Sequence, residues 1–228
     1  QAYHGCGGLD CSDHSGARMW MHNNFLIDRG GKMSKSSGEF LRLQLLVDRG
    51  YHPLAYRLMC LQAHYRSELE FSWDGLGATL TRLKRLVMAA APIRDADAAP
   101  VADRRLTDLL TKFDAAMSDD LNTAVALTLL EDVAAMKKID AGQKHAALAA
   151  MDAVLGLDLL TIDRTDLRIR PKAAAIAEDA IEAILIRRKE ARAGKDFATS
   201  DALRDELIAA GVEVMDGDPL GWDWRLDT

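Results

Sequence analysis

A glycine-flanked loop over residues 30–38 carries the side chains of this sequence best suited to chemistry on phosphates. Lys32 and Lys35 stand three residues apart, with Ser34 and Ser36 beside them. A lysine ammonium is a mobile point charge with three donors, which suits the oxygens of a polyphosphate. The loop could therefore stabilise the negative charge that builds up as pyrophosphate leaves. On composition alone, a solvated surface turn explains the same residues.

Three motifs raise the specificity of this reading. The KMSKS string of residues 32–36 resembles the second signature of class I aminoacyl-tRNA synthetases. WMHN at residues 20–23 and HYRS at residues 64–67 are similar to motifs of the cysteinyl-tRNA synthetases. The resemblance extends over nearly the whole chain and implies the C-terminal part of an enzyme that joins cysteine to tRNA(Cys).

The resemblance implies that ATP, with Mg²⁺, is a substrate beside cysteine and tRNA(Cys). It implies Lys32 and Lys35 as the catalytic residues at the ATP phosphates, with Lys35 at the transition state. It assigns ATP binding to the loop and to the strand before it: Lys32, Met33, Ser34, Lys35, Ser36 and His22. For His22, a histidine satisfied by hydrogen bonds in the core is an equally good reading.

A zinc ion that grips the substrate thiol is a further feature of the family, and the resemblance places its ligands upstream of Gln1. Cys11 and His14 have tolerable ligand spacing, and Cys6 and His4 lie nearby. A zinc site needs four committed ligands, usually in recognisable pairs. We therefore predict free thiols in a loop and no metal site in this chain. The first residue is Gln rather than Met, which predicts upstream sequence, and we expect the chain alone to be inactive.

Composition limits the remaining classes of function. Of 228 residues, 49% are hydrophobic and only 6% aromatic, with many alanines and leucines, which favours helices. The net charge of -6 excludes a generally basic nucleic-acid binder, so any RNA contact depends on local patches. No apolar run approaches the ~20 residues of a membrane span. Three cysteines without a dense pattern indicate a reducing cytoplasm, where we expect a monomer.

The predicted fold is mainly α, in three parts. Residues 1–50 are the end of a nucleotide-binding α/β domain with the KMSKS loop, in which residues 18–28 form a buried strand. Residues 51–160 form a helical bundle that contacts the tRNA stem. Residues 171–228 form a small α+β domain that binds the anticodon, and the intervening residues are a linker.

Local signals predict the elements of the bundle. Helices are expected near 40–47 and 54–64, an extended segment at 69–71, and a helix from Ser72, its N-cap, to about residue 91. Two prolines make residues 92–103 a linker. A further helix is expected to end near residue 117, and the run Ser118-Asp119-Asp120-Leu121-Asn122-Thr123 supplies cap chemistry for a second one. A third helix is expected over about 142–155. We interpret the opposite face of the helix from Ser72, with Arg82, Lys84 and Arg85, as solvated, although contact with a tRNA stem is possible.

The C-terminal residues predict a helix over 172–193, a second helix over 200–210 ended by Gly211, and two short strands. This arrangement resembles the anticodon-binding unit of bacterial cysteinyl-tRNA synthetases. The resemblance implies four anticodon-binding residues: Arg192, Phe197, Asp201 and Asp216. The alternative is that Phe197 packs between the two helices and that both aspartates cap a helix or a turn.

Two other classes of function stay open. One is a non-catalytic RNA-binding fragment or paralogue without ATP chemistry. The other is a cysteine ligase that acts on an amino-sugar and shares the KMSKS loop. Such relatives lack an anticodon unit, which residues 171–228 supply here.

Overall fold

The computed structural model describes residues 20–28, 31–32, 42–215 and 217–226. This part of the chain is mainly helical, as predicted. Its helices are α1 (Leu43–Asp48), α2 (Pro53–Leu61), α3 (Trp73–Arg94), α4 (Arg104–Ser118), α5 (Thr123–Ala135), α6 (Ala141–Leu155), α7 (Glu178–Ala193) and α8 (Phe197–Ala209). In the described ranges, none of these helices is both long and apolar enough to cross a membrane.

The first sheet has three short strands in the order β2-β1-β3: β1 (Leu26–Asp28), β2 (Gly31–Lys32) and β3 (Leu69–Phe71). β1 is antiparallel to β2 and parallel to β3. A parallel pair needs a crossover connection, and α1 and α2 provide it. The KMSKS loop therefore follows directly from the edge strand of this sheet.

The predicted strand over residues 18–28 is wrong in its length, because β1 includes only the last three of its described residues, 20–28. Residues 20–25 have no regular structure, and Trp20 and Phe25 are exposed. The amide of Asn23 donates to the Asn24 carbonyl at 2.9 Å, and the Phe25 N–H donates to Asn24 Oδ1 at 2.8 Å. Such local bonds compete with the sheet ladder, which is why asparagines disfavour strands.

Helices α2 to α6 share one core and form the predicted bundle, and polar side chains cap the start of α3 to α6. The Ser72 hydroxyl accepts from the Gly75 N–H, as predicted, and Asp103, Asn122 and Asp140 cap the next three helices. The apolar stripe of α3 is buried in the core, as expected: Leu76, Leu80, Leu83 and Val87.

α3 passes the predicted end at residue 91 and includes Pro92 in its last turn. A proline this close to the C-terminal end removes one helical hydrogen bond. Burial of the following Ile93 stabilises the turn. The irregular connection therefore begins only after Arg94.

Residues 156–171 were predicted as a linker, and they are irregular but firmly packed. Leu157, Leu159 and Leu167 are buried in the core of the bundle. The Asp152 carboxylate accepts the N–H groups of Leu157 and Leu159, both at 2.7 Å. This connecting segment is thus part of the folded core.

The C-terminal unit, residues 178–226, has its own core, in which α7 and α8 pack against a hairpin of β4 (Val212–Val214) and β5 (Trp222–Trp224). Two predicted boundaries shift. α7 begins at Glu178 instead of residue 172. α8 begins at Phe197 instead of Ser200, because Asp196 is the N-cap and accepts the Thr199 N–H at 3.0 Å.

Candidate functional site

The sheet fixes only the beginning of the KMSKS loop. Lys32 ends β2 and its backbone pairs with Ile27 of β1. Met33, Ser34, Lys35 and Ser36 lie outside the described residues. The ATP roles predicted for the loop therefore stay predictions.

His22 lies on the irregular segment that leads into β1. Its side chain is exposed, and its ring stacks on Trp20 with centroids 6.4 Å apart and an angle of 13° between the planes. His22 is therefore not buried in this chain, and its contact with ATP stays a prediction. An exposed pair of stacked rings next to the sheet is open to a planar ligand.

The HYRS motif is attached to this same segment. The Asn24 N–H donates to the Tyr65 carbonyl at 2.9 Å, and the Asn24 side-chain amide donates to the Arg66 carbonyl at 3.1 Å. A third bond runs from the Leu69 N–H to the Phe25 carbonyl at 3.1 Å. The motif therefore lies beside the strand that leads to the KMSKS loop.

Asp120, from the turn between α4 and α5, gathers the three polar side chains of this motif. Tyr65 Oη donates to Asp120 Oδ1 at 2.6 Å, and Arg66 Nε lies 3.0 Å from Oδ2. His64 Nε2 is 2.9 Å from the Asp120 carbonyl oxygen. The hydrogen bond from Tyr65, followed by the charge of Arg66, lowers the pKa of Asp120, so it is a carboxylate near neutral pH.

Sequence reasoning missed this role, since Asp120 was interpreted as part of a helix cap. The cap of α5 is Asn122, whose side chain accepts the Val125 N–H at 3.3 Å. Asp120 itself has a positive φ of 51°, which turns it toward the HYRS motif. A tyrosine and an arginine in one motif signal the need for a carboxylate, but a partner 55 residues away cannot be identified from spacing.

The cluster of His64, Tyr65, Arg66 and Asp120 joins the bundle to the three-stranded sheet. The side chain of Arg66 is 64% exposed and its guanidinium lies 5.4 Å from the centroid of the Tyr65 ring. A guanidinium held in this way presents a fixed positive charge to solvent beside the sheet. It is suited to contact a phosphate or a carboxylate.

Three of the four predicted anticodon residues are described, and all three lie at the same end of the α7–α8 pair. Arg192 is in the last turn of α7, Phe197 is the first residue of α8, and Asp201 follows one turn later. All three are exposed, Phe197 to 62%. Asp216 lies outside the described residues.

These positions test two alternative interpretations, core packing of Phe197 and helix capping by Asp201. Phe197 does not pack between the helices, so the core reading is wrong. Asp201 is inside α8, which Asp196 caps, so the capping reading of Asp201 is also wrong. The exposed ring and carboxylate are accessible to a partner at the tip of the helical pair.

The cationic face of α3 differs from the solvated face that we predicted. Arg82 Nε lies 2.6 Å from Glu131 Oε1, and Lys84 Nζ lies 2.5 Å from Asp223 Oδ2. Only Arg85 of the three is exposed. Two of these three cations are therefore engaged by carboxylates of the protein itself.

Metal ligands are not gathered in the described ranges, where no group of three or more His, Cys, Asp or Glu side chains could hold an ion. The residues considered from the sequence, His4, Cys6, Cys11 and His14, lie outside those ranges. The prediction of free thiols there stays a prediction.

Comparison with known proteins extends over both ends of the chain. A family model described as "tRNA synthetases class I (C) catalytic domain" matches residues 9–80. A second, "Cysteinyl-tRNA ligase anticodon binding domain", matches residues 177–225. The two matches include the KMSKS and HYRS motifs and all four predicted anticodon residues.

Curated relatives are named cysteine–tRNA ligases. That of Novosphingobium aromaticivorans is 67% identical over 99% of this chain and 46% of the relative. That of Zymomonas mobilis is 46% identical over 92% of this chain and 47% of the relative. The chain thus spans a little under half the length of the curated relatives it matches. With both family models matched and this identity along almost all of its residues, the chain belongs to the cysteinyl-tRNA synthetase family.

Proposed function

We propose that the whole protein is a cysteine–tRNA ligase. It joins cysteine to ATP with release of pyrophosphate, and then transfers cysteine to the terminus of tRNA(Cys). The observation that carries this proposal is the identity of 67% to a relative of that name over 99% of the chain. The catalytic-domain match at one end and the anticodon-domain match at the other support both halves of the reaction.

In the proposed mechanism, Lys32 and Lys35 neutralise the charge that develops on the ATP phosphates as pyrophosphate leaves. Donors that are already in place stabilise the transition state at little reorganisation cost. Met33, Ser34 and Ser36 complete the ATP-binding loop. The attachment of Lys32 to the edge of the sheet supports this assignment, because it anchors the loop at its first lysine.

His22 is proposed to contact ATP through its exposed ring. Its stacking on Trp20 supports the proposal, since a purine is a planar aromatic group that such a surface accepts. Mg²⁺ enters with ATP as part of the substrate. The zinc of the family is proposed to bind residues upstream of this chain, and no step assigned here passes through it.

At the other end, Arg192, Phe197, Asp201 and Asp216 are proposed to read the anticodon. Specific RNA recognition targets unpaired bases through stacking on aromatic rings and hydrogen bonds to base edges. The exposure of Phe197 and Asp201 at one tip of the α7–α8 pair supports this role. Residues 1–50 are proposed as the end of the catalytic domain, 51–160 as the bundle and 171–228 as the anticodon domain. Two hydrophobic cores, one between Leu46 and Leu167 and one between Ile181 and Trp224, support the last two.

The same proposal places the protein in the cytoplasm as a monomer. The small number of cysteines, three in the chain, supports a reducing compartment. Sedimentation of the full-length protein over a range of concentrations tests the monomeric state.

The full-length protein tests the function directly. We expect cysteine-dependent exchange of labelled pyrophosphate into ATP and transfer of labelled cysteine to a tRNA(Cys) transcript. A transcript with altered anticodon bases is the matched control and should be charged poorly. Exchange without tRNA charging, together with cysteine transfer to an amino-sugar, would instead establish the amino-sugar ligase. Binding of the tRNA without exchange would establish a non-catalytic RNA-binding protein.

A further inference from the structure

A buried cluster of four charged side chains lies where the C-terminal unit meets the bundle. Its members are Lys84, Arg164, Asp218 and Asp223. The side chains of Arg164 and of both aspartates are only 6% exposed, and that of Lys84 is 15% exposed. Two cations and two carboxylates leave the cluster with no net charge.

Asp223 is the centre of this cluster. Its Oδ2 accepts from Lys84 Nζ at 2.5 Å and from Arg164 Nη2. Its Oδ1 accepts the Trp224 N–H at 2.8 Å. Arg164 Nε donates in addition to Asp218 Oδ2 at 2.8 Å, so the guanidinium bridges two carboxylates of the C-terminal hairpin.

Three parts of the chain meet at this point. Lys84 belongs to α3 of the bundle, Arg164 to the connecting segment 156–171, and Asp223 to β5 of the C-terminal unit. Other contacts join these parts as well. Arg168 of the connecting segment lies 3.8 Å from the centroid of the Trp222 ring, its Nη2 lies 3.8 Å from Glu178 Oε2, and Leu226 packs against both cores.

The apolar contact beside the cluster is incomplete. A cavity of about 340 Å³ lies between α3, the connecting segment and the hairpin turn, with Met88, Arg164 and Leu220 among its lining residues. Apolar burial is non-directional, so a partly filled interface restrains orientation weakly. The charged cluster restrains it more strongly, because its hydrogen bonds require fixed directions between the donors Lys84 and Arg164 and the carboxylates of the hairpin.

We propose that Lys84, Arg164 and Asp223 are positioning residues that fix the orientation of the C-terminal unit relative to the bundle. The effect of this orientation on tRNA charging rests on the proposed function. With the orientation fixed, the tip that carries Phe197 and the sheet that carries the KMSKS loop are held at the separation that one tRNA must span. A freely turning C-terminal unit would present the correct geometry only part of the time.

Lys84→Met in the full-length protein tests the proposal. Methionine keeps the unbranched stem, and Asp223 keeps Arg164 as a partner, so we expect the variant to fold. Lys84→Arg retains the charge, and Arg85→Met removes the neighbouring exposed charge on α3 as a matched control. Spin labels on unnatural residues at Lys112 and Glu206, both exposed, report the distance between bundle and C-terminal unit.

We expect a narrow distance distribution for the wild type, Lys84→Arg and Arg85→Met. The distribution should be broader for Lys84→Met, in which Arg164 is the member of the cluster that still holds both aspartates. The apparent affinity for tRNA falls in proportion to the fraction of molecules in the competent orientation. If Lys84→Met lowers that fraction to about a tenth, KM for tRNA should rise about tenfold. Cysteine-dependent pyrophosphate exchange should not change, which a general loss of folding would not permit.

Each readout can overturn the proposal separately. An unchanged distance distribution in Lys84→Met shows that the cluster does not fix the orientation. A broadened distribution with an unchanged KM for tRNA shows that the orientation has no role in charging. If the wild-type protein charges no tRNA, the proposed function fails, whereas the distance measurement still decides whether the cluster fixes the orientation.

Discussion

Phe197→Ala separates a role in RNA binding from a role in folding. The native side chain is already 62% exposed. Because full burial of a phenylalanine contributes about 1.5–3 kcal/mol, its loss here should lower the free energy of unfolding by no more than about 1 kcal/mol. The stacking of one base on an aromatic ring is worth ~1–3 kcal/mol by alanine substitution. If Phe197 stacks on an anticodon base, the variant should therefore lose ~5- to ~150-fold in kcat/KM for tRNA(Cys), at about 1.4 kcal/mol per factor of ten.

The assay measures charging of a tRNA(Cys) transcript by the full-length variant, beside cysteine-dependent pyrophosphate exchange and urea unfolding. Exchange should stay at the wild-type rate. Ile186→Ala is the matched control, since Ile186 is 58% exposed on α7 of the same unit and has no proposed role. Equal charging by the Phe197 and Ile186 variants would refute the stacking role. An unfolding free energy lowered by several kcal/mol, as expected for Leu207→Ala in the core, would show that Phe197 acts through folding.

Three further perturbations address other parts of the molecule. Lys35→Ala should slow pyrophosphate exchange by about 10²–10³, the cost of a lost transition-state donor, with little change in cysteine affinity; a change of only a few-fold would count against it. Asp120→Ala should lower exchange about tenfold through misplacement of Arg66, because small displacements near a reaction centre are costly, whereas Asp119→Ala should not. The neutral ring of His52 accepts the Leu54 N–H at 3.2 Å, and burial lowers the pKa of the ring. The stability that the neutral ring contributes is therefore complete above about pH 6.5, the ordinary pKa of histidine, and is lost as the pH falls through the lower pKa of the folded state. His52→Asn should flatten that acid dependence in urea unfolding between about pH 5 and 8, the range in which histidines titrate.

The sequence predicted the elements whose signals are local. Ser72 caps α3 and Gly211 follows α8 with a φ of +81°, because a cap and a left-handed glycine depend on only a few neighbouring residues. The predicted ends of helices and strands were wrong where another contact outweighed the local signal. Pro92 was expected to end α3, yet burial of Ile93 carries the helix through it, and the asparagines before β1 shorten a strand that hydrophobicity alone would extend.

The clusters that relate the parts to one another could not be predicted, because their members are far apart in the chain. Asp120 meets Arg66 across 54 residues, and Lys84 meets Asp223 across 139. A charged residue on a helix surface is solvated in most proteins, so the type and spacing of Lys84 predict a solvated side chain. The structure instead pairs it with Asp223. Only the fold shows that a carboxylate lies beside it.

These internal pairs also bear on how the protein could bind RNA. The chain has a net charge of -6, and Arg82, Lys84 and Arg164 are bound to carboxylates of the protein itself. Binding that depended on phosphate contacts alone would need many uncommitted cations and would weaken steeply with salt. If the protein binds tRNA as proposed, its selectivity should come from contacts to bases, which carry sequence information that phosphates lack. The exposed ring and carboxylate at the tip of the α7–α8 pair are side chains of the type that such recognition requires.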